Sequence, residues 1–308
     1  MPHFDVFNGD ADGLCALQQL RLADPRESEL ITGPKRDIEL LARVPARAAD
    51  TVTVLDISLD RNRDALVQLL SRGAKVEYFD HHYAGEIPDH PGLRAAIDTT
   101  LGVCTSILVD RHLGGRYRAW AAVAAFGDNL EREGRALALS LGFDERAVAM
   151  LREMGQSINY NAYGESEADL LVAPAVLHRA LLRHEDPLDF PMEDSLFERM
   201  QDARKADLEQ GLAVPPRAKG IWLLPDAPWS RRVSGTLANR LYSAGEKAVA
   251  VLAPVQDSYV VSLRAPDGAD AFCRGFSSGG GRRAAAGIDR LPRAGLEEFE
   301  RKFAEAFP

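Results

Sequence analysis

Val76-Glu77-Tyr78-Phe79-Asp80-His81-His82 is the stretch on which the fold turns. Its first four residues read as a buried strand and the last three as the polar tip of that strand. Two other places repeat the pattern. Asn8-Gly9-Asp10-Ala11-Asp12-Gly13 follows His3-Phe4-Asp5-Val6-Phe7, and Asp56-Ile57-Ser58 follows Val52-Thr53-Val54-Leu55. In an open parallel sheet, ligands bind just beyond the carboxyl ends of the strands. Three such ends would bring Asp10, Asp12, Asp56, Asp80, His81 and His82 into one crevice. That many like charges share a small space only when cations neutralise them. The pattern therefore predicts a metal site, and most economically a pair of ions.

Working outward, the first half of the chain alternates strand and helix. Leu14–Ala23 reads as a helix and Glu29–Ile31 as a short strand. Pro34–Leu41 is predicted to open a second helix, with proline suited to the first turn. A helix over Asn62–Ser71, ended by Gly73, precedes the strand at Val76–Phe79. Such alternation is the signature of a parallel sheet covered by helices. From about Gly102 the spacing turns helical: Thr105–His112, Ala119–Phe126, Gly134–Leu141, Glu145–Ser157 and Ala168–Arg183. Asp194–Gln210 then reads as one charged helix closed by Pro215-Pro216, a reasonable linker. Beyond it come strands at Ile221–Leu224, Ala248–Leu252 and Tyr259–Leu263, a helix at Ser234–Ser243 capped by Ser234, and a last helix at Leu296–Phe307. The predicted class is α/β. A parallel-sheet domain with a helical second half (1–190) is joined by a linker helix (191–216) to a smaller α/β domain (217–308).

Composition narrows the function. The chain has 308 residues, 46% of them apolar, which suits a globular protein with a sizeable core. A net charge of −9 argues against a long, non-specifically bound duplex, which wants a broad basic face. Cys15, Cys104 and Cys273 are too few and too scattered for a disulfide framework or a zinc cluster, so a reducing cytoplasm is expected. No secretory signal pattern opens the sequence. The apolar stretches at Trp120–Phe126 and Ala248–Val255 are too short to span a bilayer.

Asp10 and Asp12 stand two apart at a strand end, between glycines that allow a tight turn. Alone they also fit an ordinary polar turn, and Asp56 alone fits a helix cap. The conjunction with Asp-His-His is what favours metal. Carboxylate and imidazole together suit Mn²⁺, Mg²⁺ or Fe²⁺, and the imidazoles tilt away from pure Mg²⁺. Asp128, after the apolar helix at Trp120–Phe126, is the fourth candidate. Gly279, Gly280 and Gly281 form a second element, read as a loop whose N–H groups converge on an anion, with Arg282 and Arg283 adding charge. Arg231 and Arg232 read as preceding the helix N-terminus that Ser234 caps, an anion site. Lys35 and Arg36 are further phosphate contacts in this scheme.

Together these residues resemble the DHH phosphoesterase superfamily. Its first motif, His-x-Asp-x-Asp-Gly, is matched by Asn8 to Gly13 except at the first position. Asp56 matches the second motif, Asp80-His81-His82 the third and Asp128 the fourth. Gly279 to Gly287 resembles the Gly-Gly-Gly-His-x-x-Ala-Ala-Gly motif of the DHH-associated domain, with Arg282 at the histidine position. The resemblance implies a two-metal hydrolase, usually Mn²⁺-dependent, with Mg²⁺ as the other candidate ion. It implies that Asn8, Asp10 and Asp56 face one ion, and that Asp12, Asp56, His81 and Asp128 hold the other. His82 would touch the substrate phosphate, and the glycine segment would hold the substrate's far end. The expected function is that of a compact nano-RNase or oligonucleotide phosphodiesterase, acting on nano-RNA, short oligonucleotides or cyclic and linear dinucleotides. Expected partners are short nucleotides or single-stranded oligonucleotides, with a second copy of the chain admissible as a homodimer. No membrane and no long duplex is expected. The rivals are a pyrophosphatase-like phosphoanhydride hydrolase and a weakly catalytic nucleotide-binding regulatory protein.

Overall fold

A computed structural model of the chain describes residues 2–45 and 47–308. It divides into two compact units, residues 1–201 and 202–308. The first unit holds strands β1 (His3–Phe7), β2 (Glu29–Ile31), β3 (Thr51–Leu55), β4 (Lys75–Asp80) and β5 (Leu93–Ile97). They form one parallel sheet in the order β2-β1-β3-β4-β5. From β1 the chain passes to β2 on one side and then to β3 on the other. The connections therefore switch direction between β1 and β3, where open sheets place their ligands.

Alternation along the strands fills both faces of the sheet. Phe7, Leu55 and Phe79 point into a core shared with helices α1 (Ala11–Ala23), α3 (Thr105–His112), α4 (Arg118–Gly127) and α6 (Glu145–Asn161). Phe4, Val6, Val54 and Tyr78 point into a second core against α2 (Leu59–Ser71). Burying both faces explains why these strands read as apolar runs. Helix α1 is buried from Ala11 through Arg21. Its one long cation there, Arg21, forks onto Asp5 of β1 at 2.7 and 2.8 Å. Burial alone would raise the Asp5 carboxyl, but the hydrogen bonds from Arg21 and His3 outweigh it and hold it below the usual range.

Helix α5 (Glu131–Ser140) packs on α4 and α6, and α7 (Pro174–Leu181) and α8 (Phe190–Glu193) complete the first unit. The boundary falls within α9 (Ser195–Ala213). The second unit carries β6 (Ile221–Leu223), α10 (Pro228–Ser243), β7 (Val249–Val255), β8 (Ser258–Arg264), α11 (Ala269–Arg274), β9 (Gly279–Arg282), β10 (Ala285–Pro292) and α12 (Leu296–Ala306). Its sheet runs β6-β7-β8-β10-β9, parallel only between β6 and β7.

Four expectations are corrected. Residues 34–40 form no helix, because their backbone groups bond elsewhere. Lys35 N–H donates to Ala162 at 2.9 Å, and the Asn62 side chain takes the Ile38 carbonyl at 2.7 Å. The segment Ala168–Arg183 is broken, and helix resumes only at Pro174, which suits a first turn but not an interior. Helix α10 starts at Pro228, so Arg231 and Arg232 lie inside it rather than before its N-terminus, and Ser234 does not cap it. Gly279–Gly281 is strand rather than loop, paired antiparallel with β10. Gly281 has φ +137°, which only glycine adopts freely.

Close approach of α4 and α6 fixes the end of α4, where Asp128 sits. A Cβ on Gly155 would lie 2.8 Å from the Gly127 nitrogen and 3.2 Å from the Val123 carbonyl carbon, both backbone. Helix propensity alone predicts that Gly155→Ala stabilises by about 1 kcal/mol. The clash predicts a loss of about 1–3 kcal/mol instead. Urea unfolding decides by sign: the midpoint should fall at constant m.

Candidate metal centre

Strand register sets the site. Phe7 pairs with Leu55 and Leu55 with Phe79, so Asn8, Asp56 and Asp80 are the next residues on three adjacent strands. Asp10 caps α1: its Oδ1 accepts the amides of Asp12 and Gly13 at 3.0 and 3.1 Å. Asp12, in the first turn of α1, reaches the N-terminus of α3. Its two oxygens accept the Thr105 and Ser106 amides, each at 2.7 Å. A helix N-terminus favours such an anion. Asn8 turns inward, with Oδ1 accepting the Asp10 amide and Nδ2 donating to the Lys35 carbonyl, both at 3.2 Å.

Asp56 has φ +60°, a left-handed conformation that Asp tolerates better than most residues. Its amide donates to the Phe79 carbonyl at 3.1 Å, one rung beyond the strand, and its Oδ1 accepts from Thr105 Oγ1 at 3.0 Å. His81 donates through Nδ1 to the Val103 carbonyl at 3.0 Å. That bond places a proton on Nδ1 and turns Nε2 toward three carboxylates. Nε2 lies 3.4 Å from Asp56, 3.7 Å from Asp128 and 3.8 Å from Asp12. His82 binds Asp80 Oδ1 through Nδ1 at 2.7 Å and is half exposed. Burial pulls the His82 imidazole down, but its bond to Asp80 and the surrounding carboxylates raise it above its ordinary value.

Asp128 follows α4 and divides its oxygens: Oδ2 faces His81, and Oδ1 lies 3.4 Å from Lys35 Nζ. Lys35 also pairs with Asp10 Oδ2, donates to Asn159 Oδ1 at 3.2 Å, and lies 5.8 Å from the Tyr163 ring centroid. Burial lowers the Lys35 ammonium, but Asp10, Tyr163 and Asp128 together raise it well above its usual value. Arg36, beside it, is exposed.

Asp10, Asp12, Asp56 and Asp80 are buried, and Asp128 nearly so. Burial and the charges of Asp12, Asp10, Asp128 and Asp80 push the Asp56 carboxyl well up. Burial pushes Asp10 the same way, but the Lys35 charge outweighs it and brings Asp10 down. Burial raises Asp128 as well, only partly offset by Lys35. Two sets of ligand atoms lie within 4.8 Å of one another: Asp56, His81 and His82, and Asp12, His81 and Asp128. An imidazole nitrogen within 4 Å of three carboxylates is a ready cation seat. The donor set of oxygens plus one imidazole fits Mn²⁺ and Mg²⁺.

The candidate residues of the second unit behave differently. Arg231 pairs with Asp226 at 2.8 Å and donates to the Pro254 carbonyl at 3.0 Å. Arg232 is buried and forks onto Asp207 at 2.8 and 3.1 Å. Ser234 is buried 3.4 Å from Ser262 Oγ. Arg282 is exposed at the end of β9, and Arg283 pairs with Asp267. Sequence reasoning missed Thr105, Ser106, Val103 and Asn159. The first two had a signal, since a predicted helix start at Thr105 is itself an anion site. Val103 and Asn159 act through long-range geometry and had none. Tyr163 faces Lys35, whereas the buried Asn161 side chain binds the backbone of Leu171 and Val172.

The fold is shared with solved structures of the exonuclease RecJ and of an exopolyphosphatase-related protein. The crystal structure of the exonuclease RecJ bound to manganese is similar with a TM-score of 0.63 at 21% identity, over 100% of this chain and 91% of that one. RecJ from Thermus thermophilus, in complex with Mn²⁺, gives 0.64 at 22% identity over 100% of this chain and 52% of that one, so this chain spans about half of it. An exopolyphosphatase-related protein from Bacteroides fragilis gives 0.51 at 14% identity, over 99% and 91% of the two chains. No protein-family model and no curated protein sequence matches the chain. Among the described residues, no helix is long and apolar enough to cross a membrane.

Crowded carboxylates make Asp56 a source of strain in the metal-free protein. Asp56→Asn should therefore raise the melting temperature in a chelator, each ~1 kcal/mol relieved giving roughly 2–4 °C. A carboxyl raised in the folded state makes the folded protein bind more protons than the unfolded one. Metal-free wild type should thus gain stability as pH falls from the raised range toward the ordinary carboxylate range, and Asp56→Asn should flatten that gain. Thermal melts at several pH values check both.

Proposed function

We propose that this chain is a divalent-cation-dependent phosphoesterase that hydrolyses short nucleotide substrates: nano-RNA, short oligonucleotides or dinucleotides. The observation that carries the reading is His81, its tautomer set by Val103 and its Nε2 aimed at Asp12, Asp56 and Asp128. Those four residues would hold Mn²⁺ or Mg²⁺. Bound there, such a cation supplies positive charge for phosphoryl oxygens and lowers the pKa of a coordinated water.

The chain's own residues supply the rest. Asp80 holds His82 by Nδ1 and favours its charged form, so Nε2–H is a donor for a phosphate oxygen or a leaving oxygen. The α3 amides keep Asp12 fixed and Thr105 Oγ1 keeps Asp56 fixed, so the donors are pre-placed. In this scheme residues 1–190 are the catalytic domain, 191–216 the linker and 217–308 the substrate-binding domain. The exposed Arg282 at the end of β9 is the substrate contact favoured there. Arg231 and Arg232 are engaged in ion pairs of their own unit. Support from comparison is the shared fold with RecJ, a protein solved with manganese.

A panel of dinucleotides, short RNA and DNA oligomers, cyclic dinucleotides and pyrophosphate, with Mn²⁺, tests the reading. Nucleotide monophosphate should be released. His81→Ala should lower kcat/KM by roughly 100-fold or more, since even residues behind metal ligands cost 10–100-fold. Release of phosphate from pyrophosphate alone would move the assignment to phosphoanhydrides. Tight nucleotide binding without turnover of any substrate would leave a binding protein.

A further inference from the structure

We infer, on the metal-dependent reading above, that the Lys35 ammonium is a built-in cation that takes the place of one metal ion, so that the centre holds a single divalent cation. Asp10 differs from Asp12 in already facing a cation. Its Oδ1 accepts the amides of Asp12 and Gly13, and its Oδ2 pairs with Lys35. The Asp10 side chain is 2% exposed. Asp10 belongs to neither set of converging ligand atoms. Asn8, which the motif would make the other ligand on this side, has both ends of its amide engaged with backbone.

Asn8 and Lys35 are linked directly. The Asn8 amide donates to the Lys35 carbonyl, while Lys35 N–H donates to the Ala162 carbonyl at 2.9 Å. The residue that stands where the motif has histidine thus pins the backbone of the residue that brings the cation. An imidazole at position 8 would offer a ligand nitrogen to an ion; the amide offers an anchor to the lysine instead. Lys35 is aimed from its other side by Asn159 and by the Tyr163 ring. Asp128 marks the division. Its Oδ1 faces the ammonium and its Oδ2 faces His81, so the fixed cation and the exchangeable one sit on opposite oxygens of one carboxylate. A divalent ion beside Asp10 would have to displace an ammonium held by two carboxylates and an amide oxygen. At the ion seat of Asp12, Asp56, His81 and Asp128, Lys35 reaches Asp128 through Oδ1 and leaves Oδ2 facing His81.

Mn²⁺ titration of the full chain by calorimetry, with electron paramagnetic resonance of the loaded protein, tests this without relying on activity. Wild type should bind one Mn²⁺ and give the spectrum of an isolated ion. Asn8→His with Lys35 in place should still bind one. The double variant Lys35→Met/Asn8→His should bind two and show exchange coupling between them. Circular dichroism checks that both variants fold. Two ions in wild type or in Asn8→His, or only one in the folded double variant, overturns the inference and leaves the phosphoesterase reading standing. No ion in any of the three removes both. Should the double variant fail to fold, the counts for wild type and Asn8→His decide.

Discussion

Repulsion among carboxylates gathered at the ends of three parallel strands is the constraint on which the rest of the first unit depends. Two unit charges 4 Å apart interact by about 4 kcal/mol at an effective dielectric of about 20. A few such pairs left unanswered would consume a net stability of about 5–15 kcal/mol. Asp10, Asp12, Asp56 and Asp80 are nonetheless buried together. The structure answers the charge with whatever positive potential the backbone and nearby side chains can bring. The starts of α1 and α3 supply four amides to Asp10 and Asp12. Lys35 supplies a full charge to Asp10 and Asp128. Asp56, with Thr105 Oγ1, is the least relieved, and its carboxyl is the one pushed well up.

That distribution explains the placement of helices that carry no ligand themselves. α3 must begin at Thr105 so that its first amides reach Asp12, and α4 must end at Gly127 so that Asp128 enters the cluster. α6 must lie close against α4, which the absence of a side chain at Gly155 permits. α6 then returns Asn159 to the same place, near its C-terminal end, where it meets Lys35. Packing and charge are thus one problem here, and the apolar core around α1 is what holds the charged rim in position.

Much of this was legible in the sequence, because strands buried on both faces announce themselves as apolar runs with polar tips. β1, β3 and β4 and the residues after them fall where Phe7, Leu55 and Phe79 predict. The rest depended on partners distant in sequence. β5 is an edge strand whose Arg94, Ala95 and Ala96 are exposed, so it carries no apolar run to read. The stretch 34–40 has local helix signals, but Asn62, Ala162 and Asn8 take its backbone groups, and tertiary bonds outweigh propensity. Gly279–Gly281 is strand because β10 pairs with it, and no local property of three glycines encodes that. The direction of Lys35 was equally hidden. Adjacent Lys35 and Arg36 read as one basic pair, yet one ammonium turns onto Asp10 while the neighbouring guanidinium is exposed.

Asp56 shows how the scaffold sustains a position that local energetics disfavour. Left-handed backbone at a non-glycine residue costs of order 1–3 kcal/mol, and such residues persist only where their surroundings over-determine them. Here the surroundings are β4 and the ring above it. The Asp56 amide continues the β3–β4 ladder onto Phe79, and the Tyr78 hydroxyl donates to the Ile57 carbonyl at 2.8 Å. Both bonds fall just past the last paired residues of β3, where the chain must leave the sheet. The turn therefore cannot relax without breaking the hydrogen bonds that register β3 against β4, the same register that brings Asp80 and the two histidines alongside. Strain at Asp56 and alignment of Asp80-His81-His82 are consequences of one strand pairing.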